Sequence, residues 1–117
     1  MDFLQLKITI QRGDRLMSIH AVSEALADIL DPDMIWSSIL LQTSEIVEDY
    51  PTDPRGPSCL LLSFIDGQPI HTVVAFPAKR IATQKGITVL AFMITVYCPD
   101  QRSHEWSADY RTRLPQP

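Results

Sequence analysis

Helices followed by an antiparallel meander, an α+β domain, is the fold class this sequence predicts. Three observations carry that prediction. Apolar residues return at helical spacing between Val22 and Ile39. From Glu45 onward the period shortens into runs typical of strands. Asp66-Gly67 sits between two of those runs, a strong hairpin signal. Helices grouped before strands indicate α+β rather than an alternating α/β order. The 117 residues suit one domain, 1–117, able to bury a core without metal or disulfide staples.

Each element follows from its residues. "FLQLKITIQ" alternates apolar and polar, with Leu4, Leu6, Ile8 and Ile10 on one side, which is strand-like; a short helix also fits. Gly13-Asp14 breaks the pattern, and "RLMSIH" reads as extended. "AVSEALADIL" predicts a helix whose buried side is Val22, Ala25, Leu26, Ile29 and Leu30, with Ser18 as N-cap. "DPDMIWSSILLQ" predicts a second, capped by Asp31 with Pro32 at its first position and Met34, Ile35 and Ile39 buried. The short joint predicts that these helices pack as neighbours.

"SEIVEDY" reads as a strand leading into the stiff loop "DYPTDPRGPSC". "SCLLLSFI" and "QPIHTVVAF" form the hairpin, Pro69 falling near a strand start where proline is tolerated. "PAKRIATQKG" is a polar link, and "ITVLAFMITVY" predicts a strand at the sheet centre because it is apolar on both sides. The tail from Cys98 is rich in turns, with "EWSADYRTR" read as a helical turn.

Composition narrows the function classes. No apolar stretch reaches the roughly 20 residues of a membrane span. The opening residues lack the pattern of a secretory signal. Cys59 and Cys98 lie far apart in apolar text and read as buried thiols, which favours a reducing, cytoplasmic setting. The net charge of −4 is uneven: residues 1–78 carry −7 and residues 79–117 carry +3. A basic C-terminal third can meet RNA phosphate, through Lys79, Arg80 and Arg113 among others, or form a solvated surface. No zinc, dinucleotide, phosphate-loop or nucleophile-elbow pattern is present, His20, His71 and His104 are not spaced as metal ligands, and no DNA partner is expected. Neither a metal nor a cofactor is expected.

Among candidate site residues His71 stands out. It interrupts an apolar strand, where its ring nitrogens need partners, as a structural histidine or as a general acid or base. His20 lies at an extended-to-helix junction as a cap or a second acid. Glu48 and Asp49 can supply a base or form salt bridges to Arg55 or Arg111. Tyr97 ends the longest strand, placed either to reach a cleft or to be a buried aromatic with its hydroxyl bonded to backbone. Arg111 and Arg113 flank Tyr110, a combination that holds phosphate and stacks on a base, or that ties down a terminus.

The ordered set "HAVSEAL", "IVEDYPTDPRGPSCLLL", "GQPIHTVVAF", "ITVYCPD" and "EWSADYRTR" resembles a bacterial family catalogued as domain-of-unknown-function family 4258, over about residues 16–113. The resemblance implies a RelE-like or MqsR-like toxin fold, barnase-like in architecture: N-terminal helices on a four-stranded antiparallel sheet. It also implies a helix, not a strand, at residues 2–12, and "RLMSIH" as the first strand. The implied activity is metal-independent endoribonuclease chemistry by 2′-hydroxyl attack, with an antitoxin or other protein partner covering the active face. A non-catalytic interaction module with the same fold is the alternative. Polar positions recurring in the family fall on His20, Glu48, His71, Tyr97, Trp106, Asp109 and Arg113. Glu24 and Asp28 stand where relatives often carry arginine. The implied site has His71, His20, Tyr97, Glu48 and Arg111 as catalytic groups and Arg113, Arg80, Lys79 and Tyr110 on the RNA, with His71 and Tyr97 opening onto one cleft beside Arg55.

Overall fold

A computed structural model describes residues 1–78 and 90–117, so Lys79 and Arg80 lie outside the described residues. The elements are α1 (Phe3–Gln11), β1 (Arg15–Met17), α2 (Ile19–Ala27), α3 (Pro32–Leu40), β2 (Glu45–Tyr50), β3 (Ser58–Ile65), β4 (Gln68–Ala75) and β5 (Ala91–Tyr97), then a 3₁₀ turn, Pro99–Arg102. The class is α+β as expected. The sheet has five strands in the order β1-β5-β4-β3-β2: β2 to β5 pair antiparallel, and the short β1 adds to β5 in parallel. No helix among the described residues is long and apolar enough to cross a membrane.

Residues 3–11 form a helix, so the strand reading of their alternation fails. Positions 4, 6, 8 and 10 also contain two i,i+4 pairs, which a helix separates onto two sides. Leu6 and Ile10 enter the core, while Leu4 and Ile8 face outward. The Asp2 carboxylate accepts from the Gln5 N–H and starts the turn. Ser18 and Asp31 cap α2 and α3 as expected, and Pro32 opens α3.

α2 departs from its predicted packing. It buries Ala21 and Ala25, and leaves Val22, Leu26 and Ile29 outside. Small side chains let α2 lie close over β5, whereas α3 lies over β3 and against α1. The two helices thus cover different strands instead of packing mainly on one another. The core between helices and sheet contains Leu6, Ile10, Ile35, Trp36 and Ile39 against Cys59, Leu61, Ile70, Val74, Met93 and Val96.

Strand alternation sends the intervening residues to the other face. The β3–β4 hairpin closes through Asp66 and Gly67, both at positive φ (49° and 80°), between the paired Ile65 and Gln68. Such a two-residue turn matches strand twist and fixes the register of all eight pairs. β5 lies inside the sheet, between β1 and β4. The tail expected to be a helical turn is instead a looped segment closed by an antiparallel bridge, Trp106 to Arg113.

The proline-rich loop of residues 51–57 packs on the end of β4. The Pro57 carbonyl accepts from the Phe76 N–H, and Gly56, at φ 114°, approaches Pro77 so closely that an added Cβ would lie 2.5 Å from its carbonyl oxygen. Gly67 is also at positive φ but opens to empty space. Gly56→Ala should therefore cost about 1–3 kcal/mol in urea unfolding, clearly more than Gly67→Ala. Equal losses would show that the close approach carries no weight.

Candidate functional site

The pairing register builds a row across the helix-free face. Glu45 opposes Leu62, Leu62 opposes His71, and His71 opposes Tyr97. A second row runs Glu48, Leu60, Val73 and Thr95. His71 and Tyr97 thus share one face at adjacent positions, as the resemblance implied. What differs is access: His71 is completely buried, and only Tyr97 is partly exposed.

The C-terminal segment, residues 105–114, seals the imidazole. Trp106 packs edge-on against it, ring centres 4.5 Å apart. The Tyr110 carbonyl, placed by that residue's positive φ of 65°, lies 2.9 Å from His71 Nε2. On the other side Tyr97 Oη lies 3.0 Å from Nδ1. A carbonyl can only accept, so Nε2 carries the proton and donates it to Tyr110. The neutral ring then accepts the Tyr97 O–H at Nδ1. Burial pushes the imidazole down to about 4, against smaller opposite effects of the Tyr110 bond and the Glu48 charge. His71 is neutral near pH 7.

Burial also raises the Tyr97 phenol, opposed by the Trp106 indole N–H and by Arg102. That indole N–H is buried without an acceptor in bonding geometry, so it acts on the phenol as a nearby dipole. The Arg102 guanidinium lies 3.9 Å over the Tyr97 ring.

Carboxylates hold the two tail arginines. Arg113 bonds Glu48 at 2.8 Å and lies 4.6 Å over the Trp106 ring. Arg111 bonds Glu45 at 2.6 Å. Tyr50 Oη also donates to Glu48. Arg113 and then Tyr50 hold the Glu48 carboxyl below its ordinary value, while burial and Glu48 push the Tyr50 phenol up to about 12.

The expected partners of the β2 acids are exchanged. Asp49 binds the chain's amino terminus, and Arg55 grips Asp53 within its own loop. That loop meets the sheet near Ala75. Four residues of strand, about 13 Å, separate Ala75 from His71, so Arg55 stands apart from the histidine instead of beside it. His20 is exposed on α2 and faces Glu24 at 3.2 Å. Glu24 in turn accepts from the Val96 N–H and the Thr95 hydroxyl, capping β5 beyond the end of β1. His20 therefore belongs to the sheet edge, with no described contact to the His71 cluster. Among the described residues no three His, Cys, Asp or Glu side chains converge as a metal site.

Tyr50, Arg102 and Trp106 complete the cluster beyond the residues picked out as its chemical groups. Tyr50 was accessible to inspection, because two positions after Glu48 a strand presents the same face. Arg102 reaches Tyr97 only through the 3₁₀ turn, which no local pattern announces.

A family model described as "Domain of unknown function (DUF4258)" matches residues 17–97. The match includes Glu48, His71 and Tyr97 and ends before the segment that supplies Trp106, Tyr110, Arg111 and Arg113. Neither the curated proteins nor the solved structures contain a match.

The depressed His71 pKa has a consequence for stability. An unfolded chain protonates histidine near its ordinary 6.5, whereas the folded imidazole resists until about 4. Stability from this group is present above about pH 6.5 and is lost as pH falls toward 4. A shift of this size corresponds to roughly 3 kcal/mol. Urea unfolding of the wild type should weaken across that window, and His71→Gln, though less stable at pH 7, should show a flatter decline. Parallel declines would contradict a buried neutral imidazole.

Proposed function

The chain belongs to domain-of-unknown-function family 4258, and we propose that it is a metal-independent endoribonuclease of the toxin type, with a RelE-like, barnase-related fold. The observation that carries this reading is the Tyr97–His71 pair: a partly exposed phenol donating to a buried imidazole whose far nitrogen is anchored on a backbone carbonyl. Nucleophile or relay, base and orienting group in line is the general arrangement for activating a hydroxyl.

In this reading His71 reaches substrate through Tyr97. The 2′-hydroxyl of a bound ribose gives its proton to Tyr97 Oη as the phenol passes its own to His71 Nδ1. The 2′-oxygen attacks the adjacent phosphorus, the bond to the 5′-oxygen breaks, and water protonates that leaving group. The products are a 2′,3′-cyclic phosphate and a free 5′-hydroxyl. The Tyr110 carbonyl and the Glu48 charge favour the transient imidazolium against the larger opposing effect of burial. Arg102 and Arg113 would meet the phosphoryl oxygens, where added negative charge develops. Phosphate must then compete with Glu48 for Arg113, which sets a demand on affinity in a chain of net charge −4. A cytoplasmic setting and pairing with an antitoxin-like protein belong to the same proposal.

A second reading, a non-catalytic interaction module, draws support from those same ion pairs, since both tail arginines are already neutralised. Cleavage of total RNA by purified protein with chelator present separates the two. The wild type should yield cyclic-phosphate ends, and Tyr97→Phe should lower the rate about 100-fold or more with its fold intact by circular dichroism. Absence of wild-type cleavage between about pH 5 and 9 would refute the nuclease and leave the interaction module, and equal cleavage by the two proteins would refute the Tyr97–His71 relay.

A further inference from the structure

α2 is inverted relative to an ordinary surface helix. It turns alanines inward and carries Ile19 and Leu26 outward, exposed at 89% and 71% with Val22 between them, and Ile29 just past its end is 93% exposed. Spacings of three and four residues place Ile19, Val22 and Leu26 on one stripe of the helix, and Ile29 extends it beyond the last turn. Ile29 adds an independent anomaly. It adopts φ 55°, a left-handed conformation unfavourable for a β-branched side chain. It occupies the position after the C-cap Asp28, where its N–H meets the Leu26 carbonyl at 3.2 Å and the Leu30 N–H meets that of Ala25 at 2.8 Å. Glycine normally fills this place in such a helix ending. The strained isoleucine gains nothing from the core, because it lies almost wholly in solvent.

We propose that this stripe docks an amphipathic helix of another protein, apolar on one side and flanked by lysine or arginine. Charge selects that occupant. Asp28, Asp31 and Asp33 flank Ile29 in the sequence, and among the described residues Asp33 pairs with Arg15 at 3.6 Å. A second copy of this chain would bring the same acids against these. A basic amphipathic helix would bury the stripe and meet the acids at its rim. This surface lies on the helix layer, away from the Tyr97–His71 pair, so its use does not depend on the proposed nuclease chemistry.

Amide-shift titration of the labelled protein with a Leu/Lys amphipathic peptide of about 14 residues, roughly four turns, and with its Leu/Glu counterpart tests the proposal. The Leu/Lys peptide should perturb residues 16–34, and the Leu/Glu peptide should bind about tenfold more weakly or worse. Ile29→Gly should raise Tm by relieving the left-handed strain, yet weaken the Leu/Lys peptide about tenfold. Leu26→Ser should weaken it similarly. Shifts mapping elsewhere, equal response to both peptides, undiminished binding by Ile29→Gly, or a lowered Tm in that variant would each overturn the proposal. So would sedimentation showing self-association that Ile29→Gly abolishes, which would make a second copy the occupant.

Discussion

A single imidazole ties together three stretches of chain far apart in sequence. His71 on β4 accepts from Tyr97 on β5 and donates to the Tyr110 carbonyl in the tail. A buried histidine without these partners would carry two unsatisfied polar nitrogens, a penalty of about 1–3 kcal/mol for each. The C-terminal segment therefore has a defined seat on the sheet, and the indole of Trp106 closes over it. Fold and candidate chemistry depend on the same two hydrogen bonds.

The electrostatics around that seat are self-contained. Glu45 and Glu48 face the tail from β2, and Arg111 and Arg113 answer them. All four groups are at least partly exposed, so each pair contributes modestly to stability. Their larger effect is positional, since they hold the segment carrying the Tyr110 carbonyl over the imidazole. The same pairing engages two cations that phosphate would need, while Arg102, paired with Glu105, lies over the Tyr97 ring.

Much of the architecture was legible because local chemistry and global fold agree. Asp66-Gly67 named the hairpin and Asp31-Pro32 named a helix start, whereas the juxtaposition of His71 and Tyr97 is set by the β4–β5 register, which strand period alone does not give. Legibility failed where local patterns were degenerate. The alternation of residues 4–10 fits a strand or two sides of a helix, and only burial of Leu6 and Ile10 decides. On α2 the longer apolar side chains promised the core, yet the close approach to β5 selected alanines. The exposure of His71 was illegible for a different reason: the groups that cover it, Trp106 and the Tyr110 backbone, come from 35 and 39 residues downstream and are placed by tertiary contacts alone.

The central claim concerns the protonation of one ring, and nitrogen NMR of His71 reads it directly. The account predicts a neutral imidazole protonated on Nε2, with Nδ1 accepting the Tyr97 hydroxyl, and no titration until pH approaches about 4. A ring that titrates near 6.5, or one protonated on Nδ1 at neutral pH, would contradict it.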